Sequence, residues 1–524
     1  MSRIIASIAR PSLIEMIDAA RHALRAGADL AELRLDAIGD ATVESGAFEV
    51  TAASALPMGR WIGTLRAHYE GGASKLPDRR RFDILARCID AGAGWIDIEY
   101  RAIQSDGVAR EAALRLAQAG NLIVSLHDFD APGEGASRLD WPSTVRRMAE
   151  NVPGAIVKVA WMASDISDNI AAMCICRDNP DKRIAICMGE KGVMSRVLAA
   201  KCQAFGTYCA PVADAAIAPG QCAIDQLTDL YRIQSQLTDT QVYGVIGSPV
   251  AHSLSPVLFN QQFARDAINA VYLPLRIDTA DELNRFLSLC CSTEWLGARG
   301  FSVTLPHKQA ALDWADQGDA LASRIRAANT LKLADGGSRA SNTDYRGLID
   351  ALTACLSVDA AGLADLNVAI LGAGGVARAA VAGLRDLGCR VSIYNRSMDR
   401  AESLAGEFEC RAEPWQRRLE LDADLIINCT SVGLWPNVDD SPLPALAIPP
   451  DAAVMDTIYK PVQTRLLRDA MSRGCRVING VEMFIRQAAA QYAVWTGRTM
   501  DIGAARVSVL TAIGEDDRPR EAAS

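Results

Sequence analysis

Histidine is scarce in this 524-residue chain, with five in all, aromatic residues make up only 6%, and no Cys-x-x-Cys pair occurs among fourteen cysteines. Those cysteines run from Cys88 to Cys475, mostly inside apolar stretches such as 184–187; Cys174 and Cys176 are separated by one residue, and Cys290 and Cys291 are adjacent. Such spacing suits neither a zinc cluster nor a redox dithiol and predicts buried, reduced thiols with no metal site. No apolar run reaches the about 18 residues of a membrane span. The opening run, Arg3 to Ala9, has six residues after Arg3 before Arg10 and Pro11 interrupt it, too short for a secretory h-region, so a cytoplasmic protein is expected. Positive charge is also in short supply: 54 Lys and Arg face 63 Asp and Glu, for a net charge of -9. Neither nucleic acid nor an anionic membrane is favoured by that balance, and small-molecule substrates are the expected partners.

What the chain does have is apolar mass. Half of its residues are hydrophobic, and its length exceeds what one core supports, so two or three folded units are expected. Residues 1 to 230 contain eight short strand-like runs: Arg3 to Ala9, Ala31 to Leu35, Trp61 to Leu65, Trp95 to Glu99, Leu122 to Leu126, Ile156 to Val159, Ile184 to Met188 and Thr207 to Cys209. Helix-period stretches such as Ser12 to Ala26 and Arg79 to Ala91 separate them, Ala41 to Leu56 being the weakest. Eight strand-then-helix units predict a (β/α)8 barrel within an α/β chain. A polar stretch, RIQSQLTDTQ, then leads into an apolar run, Val242 to Ile246, that ends in Gly-Ser-Pro, and the boundary is placed there. A second α/β pattern continues to about Gly503, no solenoid repeat is visible, and the acidic, polar tail from Gly514 to Ser524 is expected to be disordered.

A barrel of this type carries its chemistry at the C-terminal ends of its strands. There the sequence offers Glu32 and Arg34, Arg66 with Glu70 just beyond, His127, and Lys158 inside Ile-Val-Lys-Val-Ala. Burying a charged lysine is unfavourable, and desolvation would lower its pKa toward neutrality, giving an amine able to form a Schiff base with a ketone. Alone, Lys158 reads as readily as a snorkelling or ion-paired lysine, and His127 as a structural histidine. On adjacent strand ends they become an amine and a proton carrier.

The segments AELRLD, TLRAHYEGG, VSLHDF, IVKVAWMA, MGEKGVMSR and APGQ together resemble type I 3-dehydroquinate dehydratase over essentially this whole half. The resemblance implies that Lys158 forms the imine, His127 removes the C2 proton and assists imine hydrolysis, and Glu70 orients His127. It implies substrate contacts from Glu32, Arg34, Arg66, Arg196 and Gln221, with Arg196 the carboxylate partner because a guanidinium can engage it bidentately. One departure stands out: the family's usual hydroxyl residue three before the Gly of APGQ is Ile217 here, which removes a hydrogen bond of about 1 kcal/mol.

In the second half, LNVAILGAGGVA runs from an apolar strand through a Gly-rich turn into a helix. Gly372, Gly374 and small Ala377 fit a dinucleotide fingerprint, and Gly372, Ala373, Gly374 and Gly375 are the candidate phosphate-facing residues. After the next strand, Cys389 to Tyr394, NAD binders place an acidic residue; here stand Asn395, Arg396 and Ser397. Arg396 would attract a 2'-phosphate that a carboxylate would repel, so NADP is the expected cofactor.

GSPVAHSLSP, FSVTLPHK, AANTL, SNTDY, LGAGGVARAA, NRS, NCTSVGL and GVEMFIRQAAAQY resemble shikimate dehydrogenase from Tyr243 to about Gly497. That resemblance implies carboxylate binding by Ser253 and Ser255, a pocket completed by Thr304, Asn329, Tyr459 and Gln487, and proton transfer by Lys308 with Asp344. An ammonium would stabilise and protonate the alkoxide that hydride delivery creates. Leu254 and Ser302 replace a Lys and an Asn common in the family. The order of the two halves resembles the plant bifunctional fusion. The expected architecture is a barrel, 1–235, followed by a two-lobed dehydrogenase whose substrate lobe, 241–345, is completed by 481–512 and whose Rossmann lobe is 346–480, with a cleft between lobes. The expected activity dehydrates 3-dehydroquinate and reduces 3-dehydroshikimate to shikimate. A quinate dehydrogenase in the second half, or a metabolite-sensing regulator with decayed sites, are the alternatives; intact Lys158, His127, Lys308 and Asp344 argue against the second.

Overall fold

Short apolar runs whose inward residues alternate with outward ones set the first architecture. Eight strands, β1 (Arg3–Ile8), β2 (Leu30–Arg34), β3 (Trp61–Thr64), β4 (Trp95–Glu99), β5 (Leu122–Asp128), β6 (Ile156–Met162), β7 (Arg183–Met188) and β8 (Gly206–Cys209), form one sheet in the order β7-β6-β5-β4-β3-β2-β1-β8. All seven ladders are parallel. β7 and β8 are its edges, and they meet at one end, where the Phe205 N–H donates to Arg183 O at 2.9 Å. The sheet is therefore a nearly closed eight-stranded barrel. The computed structural model describes residues 2–105, 107–129, 139–334 and 336–516.

Inside the barrel, Ile5, Leu30, Ile62, Ile123, Ile156 and Ile184 pack with Phe205 and Tyr208 in one apolar layer, with Trp95 against it. Strand side chains repeat every two residues on a face. Two positions beyond Ile5, Leu30, Ile62, Trp95, Ile123 and Ile156 stand Ser7, Glu32, Thr64, Asp97, Ser125 and Lys158. An apolar floor thus carries a polar layer, which fixes where chemistry can occur. Outside, the helix Leu13–Arg25 is capped by Ser12, whose hydroxyl accepts from the Glu15 N–H at 3.2 Å, and it buries Met16, Ile17, Ala20 and Ala23. The weak stretch 41–56 is two helices, Asp40–Glu44 and Ala47–Ala55, interrupted at Ser45 and Gly46.

By its contacts the chain divides into two units, Met1–Ala251 with Ala267–Ala298, and His252–Asp266 with Arg299–Ser524. The first includes, besides the barrel, the parallel pair β9 (Gln241–Gly247) and β10 (Ala270–Arg276) and the helix Ala280–Ser292. In the second, β11 (Ala298–Val303), β13 (Thr330–Ala334) and β14 (Gly337–Ser341) pair antiparallel in succession, and β12 (Gln317–Gly318) lies parallel to β14. A separate sheet of this unit holds β15 (Asn367–Leu371), β16 (Arg390–Asn395), β17 (Arg411–Pro414), β18 (Leu425–Asn428), β19 (Ala453–Asp456) and β20 (Arg476–Ile478). Its order, β17-β16-β15-β18-β19-β20 and wholly parallel, is the doubly wound dinucleotide-binding arrangement. Along β15, Val368 and Ile370 join one core with Ala380 and Leu384, while Ala369 and Leu371 join another with Leu466 and Leu467. Both faces are covered, as a parallel sheet requires.

The tail departs from expectation. The helix Ile502–Asp516 takes in Gly514 to Asp516, because Ala505, Val509 and Ile513 give it a buried stripe; residues 517–524 lie outside the described residues. Among the described residues no helix is long and apolar enough to cross a membrane.

Candidate active sites

The polar layer of the barrel opens into a cavity lined by Glu32, Arg34, Arg66, Glu70, His127, Lys158, Arg196, Ile217 and Gln221, among others. Every barrel residue singled out in the sequence therefore faces one space. Lys158 reaches it from the middle of β6; its Nζ lies 2.9 Å from Asp97 Oδ2, 3.6 Å from Glu32 Oε1 and 3.8 Å from the centre of the Tyr208 ring. The amine is buried but ion-paired, so it must release a proton before attacking a carbonyl.

Asp97 also accepts from Arg66 NH2 at 2.9 Å and from the Ser125 hydroxyl at 2.6 Å. Burial pushes the Asp97 carboxyl up, but Arg66 and Lys158 outweigh it and hold it well below the usual carboxylate range. Arg66 pairs with Glu99 as well, at 3.3 Å, and Arg34 grips Asp36 through two bonds of 2.9 and 2.8 Å. Glu32 accepts from the hydroxyls of Ser7 and Thr64. Arg196 differs from the other two arginines. Fully buried, it reaches only the main-chain oxygens of Tyr208 and Pro219, at 3.4 and 3.3 Å, and pairs with no carboxylate among the described residues. Gln221 Oε1 accepts the Ile217 N–H at 2.9 Å.

His127 extends β5 two residues past Ser125, and its Nδ1 lies 3.1 Å from Glu70 Oε2, which also accepts the His127 N–H at 3.2 Å. Burial, then the charges of Arg66 and Lys158, lower the imidazole well below its ordinary value, so it is neutral near pH 7. Burial raises Glu70 to about 7, Glu99 adding to it against the pull of Arg66. A neutral imidazole backed by a carboxyl at its Nδ1 leaves Nε2 free to take a proton.

In the second unit, Lys308 opens one helix, Lys308–Trp314, and Asp344 opens another, Asp344–Leu356; Nζ and Oδ2 are 2.5 Å apart. Asn329 Nδ2 donates to the other oxygen, Oδ1, at 2.7 Å and lies 3.4 Å from Gln487 Oε1. A Cβ at Gly347 would stand 2.6 Å from Gln487 Cβ, so glycine there lets the helix Gly480–Thr496 bring Gln487 in. Lys308, Asp344, Asn329 and Gln487 form one hydrogen-bonded group. Ser253, Ser255, Thr304 and Tyr459 are not bonded to it: Ser253 Oγ accepts the Ser255 N–H at 3.2 Å, Thr304 O accepts from His307, and Tyr459 packs on Phe484 with ring centres 5.0 Å apart. Ser302 donates instead to Gln491, which donates to Asn329 O at 2.9 Å.

Gly372 closes β15 with φ 107°, where a side chain would also press on Cys429 O and Thr430 at 3.1 Å. The helix Gly375–Asp386 follows, with Ala377 fully buried. Nothing lies within 4 Å of a Cβ built on Gly374 or Gly375, so the backbone at this helix start is open to the close approach of a pyrophosphate, which a helix N-terminus favours. At the end of β16, Asn395 Nδ2 donates to Ser397 O at 2.8 Å, and Arg396 is exposed with no ion-pair partner among the described residues. These residues fit a dinucleotide carrying a 2'-phosphate.

Comparison with known proteins agrees with this layout. The family model for type I 3-dehydroquinase matches residues 4–238; those for the shikimate dehydrogenase substrate-binding domain, shikimate/quinate 5-dehydrogenase and the shikimate 5'-dehydrogenase C-terminal domain match 245–331, 356–433 and 480–509. A bifunctional chloroplastic 3-dehydroquinate dehydratase/shikimate dehydrogenase of Arabidopsis thaliana is 34% identical over 95% of this chain and 82% of its own length. The chain belongs to that bifunctional family. Further relatives of its dehydrogenase part include a shikimate dehydrogenase (NADP(+)) of Oleidesulfovibrio alaskensis, 38% identical over 52% of this chain and 96% of its own. A solved Thermus thermophilus shikimate 5-dehydrogenase in complex with NADP(H) and shikimate is 34% identical, covering 52% of this chain and 99% of its own, with a TM-score of 0.48.

Within this bifunctional enzyme, the residues missed in the sequence are Ser7, Asp97, Glu99 and Tyr208. Asp97 and Glu99 had a signal: carboxylates alternating with isoleucine in Trp-Ile-Asp-Ile-Glu point into a core, where a charge requires partners. Tyr208 had none, since an aromatic residue in a strand reads as packing.

Proposed function

We propose that the two residue sets catalyse successive steps of the shikimate pathway, dehydration of 3-dehydroquinate followed by NADPH-dependent reduction of 3-dehydroshikimate to shikimate. The observation that carries this reading is the pairing, in one barrel cavity, of a buried amine with a neutral imidazole. Lys158 Nζ, having released its proton to water, attacks the ketone, and the resulting hydroxyl takes up a proton from water and leaves as water to give a protonated imine. That cation acidifies the adjacent C–H, and His127 Nε2 removes the C2 proton while Glu70 stabilises the imidazolium. The β-hydroxyl leaves as water with the proton that His127 returns, and a second water hydrolyses the imine. Unpaired Arg196 is the seat for the substrate carboxylate, because a buried guanidinium without a counter-ion gains most from an anionic ligand. Glu32, Arg34, Arg66 and Gln221 complete the contacts.

In the second set, Gly372, Ala373, Gly374 and Gly375 hold the pyrophosphate, and Asn395, Arg396 and Ser397 meet the adenosine end. Bound NADPH supplies the hydride. Lys308 protonates the alkoxide oxygen, and Asp344, held by Asn329, keeps the ammonium in place. Ser253 and Ser255 take the carboxylate, with Thr304, Asn329, Tyr459 and Gln487 around the ring. The division into 1–235, 241–345 completed by 481–512, and 346–480 is supported by the extents of the family models. Fourteen free cysteines, nine of them buried, suit a reducing compartment, and we assign the cytoplasm, testable by fractionation. The test of function supplies purified protein with 3-dehydroquinate and NADPH: shikimate and NADP form together, with quinate plus NAD as the comparison. Absence of shikimate would refute the reading.

A further inference from the structure

We propose that the Tyr208 phenol is a substrate-binding, specificity-determining group of the barrel cavity, supplying the hydroxyl that Ile217 lacks. This rests on the dehydratase reading. Tyr208 sits on an inward position of β8 and lines the cavity together with Ile217; its side chain is almost wholly buried, and its ring lies 3.8 Å from Lys158 Nζ. Among the described residues the hydroxyl has no hydrogen-bond partner.

The surrounding polar groups make that vacancy informative. Arg34 is held by Asp36, Arg66 by Asp97 and Glu99, Glu32 by Ser7 and Thr64, and Gln221 by the Ile217 N–H. An unpaired hydroxyl buried beside these satisfied groups disfavours the ligand-free fold, as do Arg196 Nε and Glu70 Oε1 of the same lining, which likewise have no hydrogen-bond partner among the described residues, and phenylalanine would fill the same volume without that penalty. A ligand oxygen is what makes the phenol worthwhile. Burial, then the carboxylates of Glu32 and Asp97, push the phenol well above its ordinary pKa, so it stays a neutral donor. With its ring against the amine, it serves a ligand oxygen near the carbon that Lys158 attacks. Isoleucine at 217 can offer nothing comparable, and the two positions together redistribute one hydroxyl from the APGQ loop to β8.

The test compares parent protein, Tyr208→Phe and Tyr208→Phe/Ile217→Ser for KM with 3-dehydroquinate, ligand-free melting temperature, and borohydride trapping of ligand on Lys158. Tyr208→Phe should raise KM about five- to tenfold, the usual effect of losing one neutral hydrogen bond. Its ligand-free melting temperature should be unchanged or higher, its Lys158 adduct should persist, and the serine should recover most of the lost affinity. A KM within about twofold of the parent, or a lower ligand-free melting temperature, would overturn the proposal, the latter showing a packing role. Failure of the parent protein itself to form the Lys158 adduct would instead defeat the dehydratase reading.

Discussion

Replacing Glu70 with glutamine tests whether the buried carboxyl behind His127 governs the dehydratase. Burial raises Glu70 from an ordinary 4.5 to about 7, which corresponds to about 3 kcal/mol disfavouring its charged form. The sign of the linkage follows. Between those two values the native state binds more protons than the unfolded state, so the contribution of Glu70 to stability is fully present below about pH 4.5 and is lost as pH rises through about 7. Catalysis moves the other way, because only the carboxylate stabilises the imidazolium formed when His127 takes the C2 proton. The kcat/KM of dehydration should therefore rise through an inflection near pH 7, while His127, held far below its ordinary value, contributes no inflection there. Glutamine keeps an acceptor at the same place but carries no charge. Glu70→Gln should lower the rate by about 100-fold, erase the inflection and make the fall in stability between pH 5 and 7, roughly the window of the titration, shallower by the share that Glu70 contributes. Rate profiles with 3-dehydroquinate and denaturant melts across pH measure both. An inflection that persists in Glu70→Gln would refute the assignment of that titration to Glu70.

Arg396→Ala should raise KM for NADPH much more than for NADH, since only NADPH carries the 2'-phosphate; equal effects would remove Arg396 from that role. Arg196→Met, an uncharged replacement, should leave the fold as stable or more so while weakening 3-dehydroquinate binding at least about 100-fold, read by calorimetry. Ile217→Ser alone, with Tyr208 intact, should leave KM for 3-dehydroquinate within about twofold of the parent and reduction of 3-dehydroshikimate unchanged, and a KM lowered five- to tenfold, roughly one neutral hydrogen bond, would show that Tyr208 does not already supply the hydroxyl.

Much of the barrel was legible because its inward positions alternate: isoleucine marks the floor, and a polar residue two places on marks the layer above. Lys158 and His127 stood out for the same reason, as polar groups in runs that otherwise bury. The partners did not, because Asp97 and Glu32 reach Lys158 across strands, and cross-strand register is a property of the closed sheet. Reading Lys158 as simply desolvated missed the two carboxylates that accompany it. Stretch 41–56 was hard to read because Ser45 and Gly46 divide it into two short helices, neither long enough to show a clear period. At the tail, the polar composition after Gly514 hid a helix held by Ala505, Val509 and Ile513.

The most direct measurement pairs two single variants, Lys158→Ala and Lys308→Ala, each confirmed as folded by circular dichroism and each assayed with 3-dehydroquinate and with 3-dehydroshikimate plus NADPH. The catalytic sets share no residue, so Lys158→Ala should abolish dehydration yet reduce supplied 3-dehydroshikimate at close to the parent rate. Lys308→Ala should cut reduction by a factor on the order of 100 or more while dehydration continues and 3-dehydroshikimate accumulates. Loss of both activities in either folded variant would contradict two independent sites and require a shared one.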